Sequence, residues 1–115
     1  MKLRGSLTES TLRELLLKSW AAIKKNEGNI LKVLEGKFGK IESAFILSWT
    51  PEQHEDLYTV LVAGKYVVSF EVSKNNLELV DYSCVGVNDY QRKALSRSSR
   101  IQLAVALDLS TERLL

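Results

Sequence analysis

In YVVSFEVS, residues 66–73, Tyr66, Val68, Phe70 and Val72 fall on one face of an extended chain, and Ser69, Glu71 and Ser73 fall on the other. A repeat of two is the signature of a half-buried strand. Three neighbouring runs share it in part. SAFILSW places Phe45, Leu47 and Trp49 at alternate positions, LYTVLVA (57–63) is apolar on both sides as a central strand is, and LELVDYSCVGV (77–87) supplies a fourth run. The connections are short. Ala63-Gly64-Lys65 and Lys74-Asn75-Asn76 hold residues that tolerate positive φ, and TPEQHED, with the chain's single proline, stands where the first run must turn into the second. Four strands joined this closely predict an antiparallel meander with helices on a face.

Before Glu42 the period is helical. Leu12, Leu15, Leu16, Trp20 and Ile23 recur at steps of three and four, which gathers them on one side of an α-helix. Ser6 with Glu9, or Thr11 with Glu14, has capping-box spacing for its start, and Gly28 is a natural stop. Residues 29–36 read as a short second helix, and GKFGK leads out of it as a loop. After the strands, Asn88 and Gln91 have capping-box spacing and predict a helix starting near Asp89. SRSSR can interrupt it. In IQLAVALDL, residues 101–109, the apolar positions alternate, yet Ala104 and Ala106 favour helix, so a buried helix is expected there with an edge strand as the alternative.

The 115 residues fit one domain, residues 1–115, of α+β class: an N-terminal helix, a four-stranded meander, and a C-terminal helix or helices packed on the sheet. A composition of 45% hydrophobic and 26% charged residues is that of a folded protein, not a disordered one. MKLRGSLTES lacks the apolar core of a targeting peptide, and no run reaches the roughly 18 apolar residues of a membrane span. Cys84 is the single cysteine, so no internal disulfide forms. The expectation is a cytoplasmic protein without a membrane partner.

Chemistry needs constellations, and few are present. His54 is the only histidine, with Glu52, Glu55 and Asp56 close by. A metal site needs three or four ligands and a general base needs a partner, so a solvated loop is the better reading and neither metal nor cofactor is expected. Cys84 has no spacing relation to His54 and reads as a small buried hydrophobe. EGKFGK lacks the spacing of a phosphate-binding loop and precedes the first strand. The chain is therefore expected not to be an enzyme.

Charge is more informative. Residues 1–40 carry nine Lys/Arg and four Glu, residues 41–90 two Lys and eight Asp/Glu, and residues 91–115 five Lys/Arg and two acids. The middle is acidic and both ends are basic. Glu52, Glu55, Asp56, Glu71, Glu78 and Asp81, with His54 and the aromatics Trp49, Tyr58 and Tyr82, make a candidate surface for a basic protein partner. Tyr90, Arg92, Lys93, Arg97 and Arg100 make an alternative stripe for nucleic acid.

In outline, helix, meander ESAFILSW / LYTVLVA / YVVSFEVS / LELVDYSCVGV, then helix NDYQRKAL, the chain resembles small bacterial immunity proteins of contact-dependent toxin systems. That resemblance implies a protein that binds one toxin domain, commonly a nuclease, and blocks its active site or substrate path. A nucleic-acid-associated regulator and a secretion-type chaperone are the alternatives.

Overall fold

The computed structural model describes residues 5–26, 29–93 and 95–111. Its elements follow the order α1 (Gly5–Lys24), α2 (Ile30–Phe38), β1 (Ala44–Pro51), β2 (Glu55–Val62), β3 (Tyr66–Ser73), β4 (Leu79–Gly86), α3 (Val87–Gln91) and α4 (Arg97–Thr111). The strands form one antiparallel sheet in the order β1-β2-β3-β4. The α+β meander is therefore as the hydrophobic periods predict, and β3 has the bounds of its alternating run. Residues 101–109 are helix, within α4.

Register assigns every strand residue to a face. One face carries Val60, Val62, Val68, Phe70 and Val72, all buried, and α1 and α2 lie on it: Phe38 packs on Tyr66 with ring centroids 5.5 Å apart, and Lys37 stands over the Tyr82 ring at 4.6 Å. The opposite face carries Phe45, Leu61 and Val67, equally buried. The C-terminal helices remain to cover these. α4 runs beside β1 and α1, and α3 touches β3 and β4. Arg13 of α1 pairs with Asp108 of α4, and Ser110 of α4 lies against the β2–β3 turn. There Gly64 has φ +67, and a Cβ would stand 2.9 Å from Ser110 Cβ, so the turn needs glycine twice over.

One extra residue changes the first strand. Ile46 pairs with Val60 but Ser48 with Thr59, which leaves Leu47 as a bulge. Trp49 consequently leaves the face of Phe45, where strict alternation put it, joins Ile46 on the face of α1 and α2, and is 57% exposed. The helix ends also depart from expectation. α2 continues through Lys37 and Phe38 to a stop at Gly39, φ +74, so GKFGK is a helix end and not a loop. Thr11 and Glu14 lie inside α1, which begins at Gly5; the Ser6 side chain and Gly28 lie outside the described residues. The Asn26 side chain accepts the Lys32 N–H at 3.0 Å and so serves the start of α2. α3 begins at Val87 with Gly86 before it and no side-chain cap, so Asn88 does not cap it. The helix is interrupted, but ahead of SRSSR and not by it: α3 ends at Gln91, within NDYQRKAL, and Arg97–Arg100 are already part of α4, which Ser96 opens by accepting the Ser99 N–H on its hydroxyl at 3.1 Å.

Phe45, with no exposed surface, is surrounded by this core. Phe45→Ala is expected to cost about 3–5 kcal/mol in chemical denaturation. Leu15→Ser, at a position 56% exposed, is expected to change stability by no more than about 0.5 kcal/mol.

Candidate functional site

The sequence-predicted surface divides between the two sheet faces. On the face of α1 and α2, register aligns Trp49, Tyr58, Phe70 and Tyr82 as one row across all four strands. Trp49 and Tyr58 stack with centroids 6.4 Å apart, and Tyr58 and Phe70 at 5.5 Å. The Trp49 indole N–H donates to Asp56 Oδ1 at 3.1 Å, and Lys74 Nζ lies 3.8 Å from the same oxygen. Asp56 is thus spent within the fold. Burial raises the Tyr58 phenol above 10.0, and the Asp56 carboxylate adds to the shift. Burial, then Cys84, does the same for Tyr82. Both phenols stay neutral at physiological pH; the stability this gives is complete below pH 10.0 and is lost as pH rises through the raised values.

The opposite face has two halves. Toward the β2–β3 turn it is apolar and buried, and toward the β1–β2 turn it is open. Across the open half run the rows Thr50, Leu57, Glu71, Asp81 and Ser48, Thr59, Ser69, Ser83. Glu55 sits beyond them opposite Ser73. A shallow cleft of about 260 Å³ lies over Leu57, Thr59, Ser69, Glu71, Asp81 and Ser83. The row that unites Glu71 and Asp81 places two carboxylates directly opposite each other, which is destabilising. Neither they nor Glu55 form an ion pair among the described residues.

The four strands contain no lysine or arginine and four carboxylates, Glu55, Asp56, Glu71 and Asp81. With Asp56 neutralised by Lys74 on the other face, the remaining three make the open half uniformly acidic. Most of this partition was hidden in the sequence, because strand pairing decides which carboxylates share a face. The alternation of β3, which sets Glu71 apart from Phe70, was the one available signal.

The remaining candidates lie at the ends of the sheet. The Glu52 N–H donates to the Glu55 carbonyl at 2.8 Å and the Lys74 N–H to the His54 carbonyl at 2.9 Å, so of TPEQHED only Glu52, Gln53 and His54 form the hairpin turn, with His54 exposed, while its ends belong to β1 and β2. Glu78 lies exposed in the β3–β4 turn, its N–H bonded to Asn76 Oδ1 at 3.0 Å. Cys84 is exposed, not buried as its residue type suggests, because β4 is an edge strand. It is level with Val60 and Val68, roughly 17 Å along the strands from the His54 turn, so the two form no catalytic pair. Among the described residues no group of three His, Cys, Asp or Glu is placed to hold a metal ion. No described helix is long and apolar enough to cross a membrane.

The basic stripe is broken up. Arg92 lies 3.4 Å from Asp89 and Lys93 stands over the Tyr90 ring at 5.6 Å, both just past the end of α3, whereas Arg97 and Arg100 belong to α4. Arg100 borders a cleft of about 410 Å³ with Leu95, Leu103 and Leu107. A second apolar cleft, about 510 Å³, lies between α1 and the sheet, bordered by Leu15, Ala22, Ile30, Ile46, Trp49 and Tyr58.

Removing one member of the Glu71–Asp81 pair should relieve its repulsion. Glu71→Gln is expected to stabilise the fold by about 0.2–1 kcal/mol in urea unfolding at low salt, with the gain shrinking as salt is added. No protein-family model, curated protein or solved structure matches the chain, so its function is argued from this surface.

Proposed function

We propose that this chain is a non-enzymatic protein-binding protein whose partner presents a basic surface, and that it acts as an immunity protein or antitoxin, neutralising a toxin domain by direct binding. The observation that carries the reading is the open half of the sheet, where Glu55, Glu71 and Asp81 meet no cation from any strand. An unbalanced field of this kind speeds the approach of a basic partner and rejects acidic ones. Nucleases, which must attract a polyanion, are such partners, and an acidic cover competes with nucleic acid for the same positive groups. A cytoplasmic location follows from the same reading.

The nucleic-acid alternative has less support. Arg92 is paired with Asp89, and the other basic residues are divided between the end of α3 and α4.

Capture from the source cell's lysate, with and without nuclease treatment, separates the two. A stoichiometric protein that survives nuclease is the expected result, whereas partners that vanish with nuclease overturn the proposal in favour of nucleic acid. With the captured partner, reversing Glu55, Glu71 and Asp81 to lysine is expected to slow association about tenfold or more at low salt, with the difference narrowing at high salt. Asp56→Asn, on the other face, should leave association unchanged. Equal association rates for the triple variant and the parent would refute the assignment of this surface.

A further inference from the structure

The two edges of the sheet are treated differently. β1 is covered: α1 lies along it, the Ser19 hydroxyl accepts the Ile46 N–H at 3.0 Å, and Pro51 removes a donor at its far end. β4 is not. Among the described residues its backbone pairs with no strand other than β3, and one further donor, the Tyr82 N–H, is held by the Asp81 carboxylate of β4 itself. It is eight residues long, contains neither proline nor lysine, and exposes Val80 (55%), Ser83 and Cys84. Folded proteins ordinarily blunt such an edge with lysine, proline, a bulge or a covering element. Here a bulge opposite Glu71 and Val72 and the charge of Asp81 are the defences.

We infer that the open edge of β4 receives an extended basic segment of the protein partner as a fifth strand of the sheet. This rests on the protein-binding reading and goes further, because it names the mode of binding and the pattern of the segment. Charge selects the occupant. A second copy paired antiparallel through β4, about a two-fold normal to the sheet, would bring both open faces to the same side and join two acidic surfaces of like sign along that edge. A strand with lysine or arginine at every second position reverses that sign: its basic side chains stand over the open half about 4.8 Å from the Asp81 row, and its intervening side chains lie beside Tyr82 and Cys84. The Asp81 carboxylate accepts the Tyr82 N–H at 2.8 Å, a bond that an incoming strand carbonyl can replace while the carboxylate turns to a cation.

The probe is a synthetic peptide of alternating lysine and valine, about as long as β4, with an alternating glutamate–valine peptide as its counterpart. The full chain is isotope-labelled, and amide hydrogen exchange is followed residue by residue at low ionic strength. The lysine peptide is expected to bind and slow exchange of β4 amides at least about tenfold without slowing those of α4, and the glutamate peptide to do neither. Glu71→Lys with Asp81→Lys, folded by circular dichroism, should weaken binding about tenfold or more. Binding without β4 protection overturns edge pairing and leaves the acidic-surface reading intact. Failure to bind at low salt also overturns edge pairing, while the lysate capture still judges that reading. A free chain that sediments as a dimer with β4 already protected gives the edge to a second copy and likewise refutes the inference.

Discussion

The structure depends on the pairing of β2 with β3, and specifically on the apolar stretch Val60-Leu61-Val62 opposite Tyr66-Val67-Val68. Consecutive residues in a strand point to opposite faces, so three consecutive buried residues commit the sheet to cover on both sides at that end. One layer comes from α1 and α2. The other comes from the C-terminal helices, and the Arg13–Asp108 pair joins α1 and α4 beside β1. Toward the β1–β2 turn, β2 and β3 become polar on one face at Thr59, Ser69 and Glu71. Cover is not demanded there, and the same two strands that build the core leave half a face open.

The open half and the aromatic row are two sides of the same residues. Tyr58 and Phe70 turn inward toward α1 and α2, and their neighbours Leu57, Thr59, Ser69 and Glu71 turn outward because a pleated strand gives them no choice. Stacked rings at 5.5 and 6.4 Å stabilise this end of the sheet from the face of α1 and α2 alone. Aromatic pairs of this geometry are worth about 0.5–1.5 kcal/mol beyond their burial, comparable to the cost of like charges facing each other across strands. The fold can therefore hold an unbalanced acidic surface in place.

What the sequence revealed and what it hid follow from the range of each interaction. Periodicity is local, so YVVSFEVS, the helical spacing of Leu16, Trp20 and Ile23, and the good helix formers within 101–109 could be read directly. A bulge is also local, but it leaves no mark in composition: inserting Leu47 moved Trp49 to the other face and separated it from Phe45. Strand position is not local at all. Cys84 is exposed because β4 is the last strand of the meander, and nothing within LVDYSCVG records that. The acidic residues were visible as a group, yet the division into Asp56, consumed by Lys74 and Trp49, and Glu55, Glu71 and Asp81, which form no ion pair among the described residues, depended on faces that pairing assigns.

The absence of cations from all four strands can be weighed against what solubility alone requires. A soluble sheet needs polar groups on its open face, and mixing signs would serve that end while adding favourable cross-strand pairs. This chain instead places lysines in its turns and helices and keeps the open strands of a single sign. Single-sign charge opposes self-association at the β4 edge, because like charges on two copies repel. It does not close that edge to the opposite charge. An edge guarded by proline resists strands of any kind because a donor is missing, whereas one guarded by charge of a single sign, here Asp81 and Glu71, discriminates by sign, and under the proposed reading the carboxylates that disfavour a second copy favour a basic strand.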